Sequence, residues 1–294
     1  MHVIGKLAAS ALAGTLVAIA APSALAAPPP VPTHLSPAVR VVGLTTSNGL
    51  TSIDTGKGKA SRTKAIKGIA SSEDVVGIDY RPANNKLYGL VQRSNGALRV
   101  VKISPATGRT YASHTLIAAS GRAVTSTASS LGTDFDPVSG LMRVVDVNRN
   151  NVRVNVDTGL TVVDGTLHNA RGDQYEVVIP RVPALAFTNS AKGASQTVGY
   201  TLNAVNQTIE SLDPADDGTL NTEGYTVDVR GKTGYDIATL GGRTNVALIS
   251  NTSGDQTRIY RVNIPEGNIN DAGVLQKVQI KAKKIKDIAA PTGR

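Results

Sequence analysis

The sequence contains no cysteine and no tryptophan, and it has only two methionines, two phenylalanines and four histidines among its 294 residues. Without cysteine there can be no disulfide, no thiol nucleophile and no lipid anchor on a cysteine. Only His114 and His168 lie beyond the N-terminal region, which excludes a metal site built from several histidines. The Gly-x-Ser-x-Gly elbow of serine hydrolases is also missing. The common signatures of enzymes are therefore absent.

Long apolar runs are lacking except at the N-terminus. Residues 1–26 contain Lys6, a run of Ala, Leu, Val and Ile, and a small-residue ending, ALA, before residue 27. This pattern is typical of a secretory signal peptide. We therefore predict a signal peptide at 1–26, a Pro-rich leader at 27–40 and a single domain at 41–294. We expect a secreted or cell-wall-associated protein with no transmembrane segment after cleavage.

What the chain does contain is a repeat of about 50 residues. A strand with Asp at its centre recurs in steps of 50 to 55 residues, at Asp79, Asp134, Asp236 and Asp287, with Ala186 in the equivalent place of one copy. A turn ending in Gly recurs in steps of 49 to 59 residues, at Gly56, Gly108, Gly159, Gly218 and Gly267. Several short alternating strands in such a period are typical of a four-stranded propeller blade.

The order of these two markers predicts how the repeat closes. The first turn, at Gly56, precedes the first Asp strand, and no turn follows the last Asp strand at Asp287. We therefore predict an all-β, five-bladed β-propeller in which residues 285–290 pair beside residues 41–46 in the N-terminal blade. Such pairing would remove two exposed strand edges.

The formal net charge of +9 arises partly from two basic clusters. They comprise Lys57, Lys59, Arg62, Lys64 and Lys67 near the start, and Lys277, Lys281, Lys283, Lys284 and Lys286 near the end. Closure of the ring would bring both clusters together, and the resulting patch would attract anionic polymers in a salt-dependent way. The alternative is a solvated surface that aids solubility. Nucleic acid is not an expected partner, because no aromatic residues interleave with these lysines.

The recurrent Asp residues have two interpretations. Several carboxylates near one axis could hold Ca²⁺, which prefers oxygen ligands. Alternatively, each Asp could accept backbone N–H groups between blades. We predict no cofactor and no metal-binding residue, with Ca²⁺ as the alternative.

The loop after the second strand of the third repeat is unusually rich in side chains that bind ligands. Arg149, Asn151 and Arg153 lie in or beside it, and Arg143 lies across the hairpin. Two long connectors, 118–130 and 168–181, should share its face of the propeller, and the second contains Asp173. We predict Arg143, Arg149, Asn151, Arg153 and Asp173 as ligand contacts.

Four short blocks carry a family resemblance: GIDYRP followed by LYGL, DFDP followed by MRVV, NNVRVNVDTG followed by DGTL, and AFTNS. With these motifs the chain resembles, from about Val41 to Ala290, a bacterial family catalogued as domain of unknown function 4394. The resemblance implies an exported, propeller-like domain. It implies no catalytic residues, since the family has no assigned activity.

Together these observations predict a secreted, monomeric, non-catalytic propeller that binds a cell-envelope polymer or a protein partner, or serves as its scaffold. The alternative is a hydrolase or lyase that cleaves polysaccharide with channel carboxylates such as Asp134 and Asp236. The absence of Trp argues against a sugar-stacking cleft, although Tyr could serve in its place.

Overall fold

A computed structural model describes residues 35–225, 229, 231–264, 274–280 and 283–292. The predicted signal peptide lies outside these residues. The described residues form strands, turns and loops without any helix, so none of them lies in a helix that could cross a membrane.

The strands fall into five groups along the chain. The first group is β1 Arg40–Thr45, β2 Gly49–Asp54, β3 Lys59–Ala60 and β4 Lys64–Ala65. The second is β5 Asp74–Arg81, β6 Lys86–Gln92, β7 Leu98–Ile103 and β8 Thr110–Thr115. Next come β9 Ile117–Ala118, β10 Leu131–Phe135, β11 Met142–Asp146, β12 Asn151–Val154, β13 Leu160–Val163 and β14 His168–Asn169. The fourth is β15 Ala184–Phe187, β16 Gly199–Asn203, β17 Thr208–Leu212 and β18 Thr219–Tyr225. The last is β19 Lys232–Leu240, β20 Thr244–Ser253, β21 Gln256–Val262, β22 Val274–Ile280 and β23 Ile285–Ala289.

These strands build five sheets, which are the blades of a β-propeller. From the inner strand outward, blade 1 is β23-β1-β2-β3, blade 2 is β5-β6-β7-β8, blade 3 is β10-β11-β12-β13, blade 4 is β15-β16-β17-β18 and blade 5 is β19-β20-β21-β22. The inner strands contact one another in cyclic order, from β23 to β5, β10, β15, β19 and back to β23. The predicted five-bladed, all-β fold is therefore confirmed.

The two ends of the chain close the ring. Strand β23 pairs antiparallel with β1, with Val42 opposite Ala289 and Gly43 opposite Ile288. This pairing is the one that the offset between the Gly turns and the Asp strands predicts. It supplies hydrogen-bond partners to both termini of the domain.

Three blades depart from the simple four-stranded plan at their outer edges. Strand β9, from the connector that leaves blade 2, pairs in parallel with β13 of blade 3, and β14 pairs in parallel with β18 of blade 4. The outer strand of blade 1 is divided into β3 and β4, which both pair with β2. The connectors thus cover edges that would otherwise be open.

Glycine on the inner strands lets neighbouring blades approach closely. A Cβ atom on Gly132 would lie 2.6 Å from the Cα of Ala184 in the next blade. One on Gly234 would lie 2.5 Å from the Cα of Asp287. Since real Cβ atoms do not come this close to backbone atoms, the narrow ring requires glycine at these two positions.

The hydrophobic core consists of five clusters, one at each boundary between blades. The cluster between blades 5 and 1, for example, contains Ile53, Leu248 and Ile288. It also contains Leu35, whose N–H donates to the carbonyl of Thr55, so the described end of the predicted leader packs against the propeller. Each fully buried aliphatic side chain contributes about 1.5–3 kcal/mol, and the blades are held together chiefly by these contacts.

Candidate functional site

The inner-strand Asp residues link successive blades through backbone hydrogen bonds. Asp287 of blade 1 accepts from the N–H of Ile78 in blade 2 at 2.7 Å. In the same direction, Asp79 accepts from Phe135 at 2.9 Å, Asp134 accepts from Phe187 at 3.0 Å, and Asp236 accepts from Ala290. The structural interpretation of the repeated Asp is therefore correct for all four residues.

Blade 4 breaks this series because Ala186 stands in place of the Asp. Tyr235 of blade 5 packs in the cluster that contains Ala186 and Tyr200. Its phenol is buried, and its hydroxyl has no hydrogen-bond partner among the described residues. An aromatic ring thus occupies the one boundary that lacks a carboxylate.

Burial governs the protonation of the four inner-strand Asp residues. Desolvation raises the pKa of Asp79 to about 6, and it raises the pKa values of Asp134, Asp236 and Asp287 well above their usual range. The interaction with Asp134 lowers the pKa of Asp79, whereas the neighbouring carboxyl groups of Asp79 and Asp236 raise the pKa of Asp134 further. Burial thus favours the protonated form of these four Asp residues.

The backbone N–H groups of the neighbouring blades already bind one carboxylate oxygen of each of these Asp residues. Among the residues that the structure describes, no group of three or more His, Asp or Glu side chains is arranged to hold a metal ion. The calcium site stays a prediction without a supporting contact.

Three of the predicted ligand contacts meet in one ion-pair network. Arg143, only 3% exposed, donates to Asn151 at 2.6 Å, to Asp164 at 2.9 Å and to Asp216 at 2.9 Å. Arg153 donates to both carboxylate oxygens of Asp164 at 2.8 Å and pairs with Asp216 at 3.0 Å. Because Asp216 precedes β18 in blade 4, this network joins blades 3 and 4. A ligand at these side chains would have to compete with bonds that hold two blades together.

The other two predicted contacts lie apart from this network. Asp173 accepts from the N–H and the hydroxyl of Thr222, at 2.8 and 3.0 Å, and so attaches the 168–181 connector to β18. Arg149 has a positive φ of 71° and is half-buried, and its side chain makes no hydrogen bond or ion pair with any described residue. Of the five, Arg149 alone has its donors open to a ligand within the described part of the chain.

A larger concentration of unpaired cations lies in clefts of blades 5, 1 and 2. Between blades 5 and 1 a cleft of about 800 Å³ is lined by Lys57, Lys59, Arg258 and Lys277. This cleft unites members of both basic clusters, as ring closure predicts. Lys283 reinforces the same boundary by donating to Thr63 at 2.8 Å.

Two further clefts lined by cations lie nearer blade 2. The one between blades 1 and 2, about 220 Å³, is lined by Arg40, Arg62 and Lys64. The next, about 500 Å³ at the end of blade 2, contains Lys86 and Lys102. Both clefts include Tyr80 and Pro105, so they adjoin each other.

We call the nine cations of these three clefts the basic belt: Arg40, Lys57, Lys59, Arg62, Lys64, Lys86, Lys102, Arg258 and Lys277. No Asp or Glu is among the described residues that line the clefts. None of the nine pairs with a carboxylate of a described residue. Clefts lined by charge of one sign produce a local field that concentrates anions.

The belt differs in part from the predicted lysine patch. Lys284 pairs with Asp255 and Lys286 pairs with Asp74, both at 2.5 Å, so these two cations are already neutralised. Lys281 lies outside the described residues. The sequence offered no signal for Arg40, Lys86, Lys102 and Arg258, because they are isolated along the chain and meet only in the ring.

Comparisons with solved structures find chains of low sequence identity. An aldose sugar dehydrogenase from Streptomyces coelicolor in its PQQ-bound form is 12% identical with a TM-score of 0.46, over 90% of this chain and 87% of that one. The β-propeller domain of Cps50 (Swd1) from Myceliophteria thermophila is 12% identical with a TM-score of 0.36, over 79% and 88% of the two chains. Raptor from Chaetomium thermophilum is 11% identical with a TM-score of 0.42, over 88% of this chain and 21% of that one. These likenesses carry no functional argument.

No curated protein matches the sequence. A family model does, over residues 49–289, which include the inner strands of all five blades. The resemblance carried by the GIDYRP, DFDP and NNVRVNVDTG motifs is thus confirmed. The chain belongs to the family described as Domain of unknown function (DUF4394).

Proposed function

We propose that this protein is a secreted, non-catalytic binding module that holds an anionic polymer of the cell envelope along the basic belt. The observation that carries this proposal is the belt itself: nine cations line three clefts, two of which adjoin each other, without a carboxylate among the described lining residues. A polymer with regularly spaced negative charges could contact several of these cations at once. Repeated contacts of this kind release counterions and make the affinity steeply dependent on salt.

The burial of the polar groups elsewhere supports a binding role rather than a catalytic one. The carboxylates considered for polysaccharide cleavage, Asp134 and Asp236, are 2% and 5% exposed and accept backbone N–H groups. A general acid or a nucleophile must reach its substrate, which such packing prevents. Cleavage of polysaccharide therefore remains an alternative without a supporting contact.

The proposal is tested with two soluble anionic polymers, polygalacturonate and inorganic polyphosphate, by measuring Kd in increasing NaCl. The triple variant Lys57→Glu, Lys59→Glu and Lys277→Glu should weaken binding to at least one polymer by ~10-fold or more. The matched control, Arg171→Glu, Lys192→Glu and Arg243→Glu, makes the same change in net charge at exposed positions outside the belt clefts. Equal losses in both triples, or binding that salt does not weaken, would reject the belt as the site.

A further inference from the structure

The cleft at the end of blade 2 differs from the other two clefts of the basic belt because it contains an exposed aromatic ring. Tyr111 on β8 is 49% exposed and lines this cleft together with Lys86 and Lys102. Tyr80, Leu87 and Pro105 supply apolar surface to the same cleft. Among the Phe and Tyr residues whose side chains are described, Tyr111 is the one that is exposed.

A β-bulge places this ring beside a cation. Between β7 and β8, Val101 pairs with Ser113 whereas Lys102 pairs with Tyr111, so Ala112 is the extra residue. Ala112 has a positive φ of 37°, a conformation that non-glycine residues adopt only at a cost of the order of 1 kcal/mol. Bulges of this kind redirect side chains and occur preferentially next to functional sites.

The redirected ring and its neighbours define a specific chemistry. Cross-strand partners such as Lys102 and Tyr111 project their side chains from the same face of the sheet. A ligand unit at this place therefore meets a flat aromatic face and an ammonium group together. A pyranose ring with an acidic substituent matches both, because its C–H face can stack on the phenol while its carboxylate or phosphate reaches the lysine.

We infer that the cleft at the end of blade 2 is a sugar-ring subsite and that the anionic polymer held by the belt is an acidic polysaccharide. This inference rests on the proposed function, since it assigns the chemical class of the ligand to the same surface. A single aromatic platform favours a glycan over single-stranded nucleic acid, whose successive bases stack on several aromatic side chains. It also distinguishes a glycan from polyphosphate, which has no ring to stack.

The test compares three probes of similar charge: a galacturonate oligosaccharide, inorganic polyphosphate and a single-stranded oligonucleotide. Tyr111→Ala should weaken binding of the oligosaccharide about 3- to 10-fold, which is the range expected for one aromatic stacking contact, and leave polyphosphate binding unchanged. Tyr111→Phe keeps the ring and should retain the affinity. Leu160→Ala, which removes an exposed apolar side chain from blade 3, is the matched control and should change neither.

Tyrosine fluorescence supplies a second readout, because the protein has eight Tyr and no Trp to mask their emission. The oligosaccharide should change this emission, and the change should disappear in both Tyr111→Phe and Tyr111→Ala if residue 111 is its source. Equal effects of Tyr111→Ala on oligosaccharide and polyphosphate, or none on either, would overturn the subsite while leaving the belt intact. Selective loss of oligonucleotide binding would replace the glycan by nucleic acid. Failure of the parent protein to bind any of the probes would instead reject the proposed function.

Discussion

The backbone N–H of Phe135 in blade 3 donates to the buried carboxylate of Asp79 in blade 2 over 2.9 Å. Since three further Asp residues make the equivalent bond, the ring is closed by four carboxyl groups as well as by apolar packing. All four carboxyl groups are buried at the centre of a narrow ring. The stability of the propeller must therefore depend on their protonation.

Thermal stability should rise as the pH falls from about 7.5 to about 5. The pKa of Asp79 is about 6 in the folded protein, against 3.8 ordinarily, so between these values the folded state binds more protons than the unfolded state. The contribution of Asp79 to the free energy of unfolding is fully present below pH 3.8 and is lost as the pH rises through about 6. For Asp79 alone this amounts to about 3 kcal/mol at most. A melting temperature that stays flat or falls over this interval would contradict the raised pKa values.

Below pH 4.5 a second group should act in the opposite direction. The pKa of Glu73 is lowered to about 2, mainly by its hydrogen bond with Arg99. Its contribution to the free energy of unfolding is therefore fully present above the ordinary pKa of 4.5 and is lost as the pH falls through about 2. The effect of the four inner-strand Asp residues on stability is therefore best measured above pH 4.5.

Asp134→Asn should fold with a stability near that of the parent at pH 7, whereas Asp134→Ala should not. The amide oxygen can still accept from the N–H of Phe187, and the neutral amide replaces a buried carboxyl whose pKa is raised by desolvation. Alanine leaves the Phe187 N–H unsatisfied and costs about 1–3 kcal/mol. Urea unfolding at pH 7 distinguishes the two, and similar losses in both would show that the charge of Asp134 itself is required.

Asp164→Ala should be strongly destabilising, by about 3–5 kcal/mol, because it leaves the buried guanidinium of Arg143 without its buried partner. Both side chains of that pair are only 3% exposed. Asp216→Ala removes another partner of Arg143, but its side chain is 57% exposed, so the loss should stay below about 1 kcal/mol. Chemical denaturation measures both variants. Equal losses would refute the assignment of Asp164 as the carboxylate that compensates the buried charge of Arg143.

Tyr235→Phe should leave the stability unchanged or raise it by about 1 kcal/mol. The hydroxyl is buried without a hydrogen-bond partner among the described residues, so its removal eliminates a desolvation penalty. Tyr88→Phe is the comparison, because the Tyr88 hydroxyl accepts from Asn84 at 3.3 Å and its loss should destabilise slightly. If Tyr235→Phe proves the more damaging of the two, the phenol has a partner that the structure does not show.

The predictability of the fold follows from its repetition. Each blade has an inner strand of alternating pattern, and in four blades an Asp at the centre of this strand accepts the same backbone hydrogen bond. Because the inner strand recurs five times at similar spacing, the repeat could be detected in the sequence. No turn ending in Gly follows the last Asp strand at Asp287. This absence predicted that the C-terminal strand pairs beside Val42 and Gly43, and the structure shows this pairing.

The candidate site was harder to predict from the sequence, since the roles of its residues depend on partners that are distant along the chain. Arg143 and Arg153 resembled ligand contacts because the sequence does not show which of the acidic residues lie within reach of them in the fold. Their carboxylates come from the connector at Asp164 and from Asp216 in the next blade. Conversely, Lys102 and Tyr111 had no distinguishing neighbours, and only the bulge at Ala112 places them side by side.

The sequence by itself thus determined the number of blades, the order of the strands and the closure of the ring, because those depend on alternation and spacing along the chain. The tertiary structure decided which charges are neutralised and which remain open in the basic belt. Ion pairing depends on distances between side chains from different blades, and no pattern within one segment contains that information.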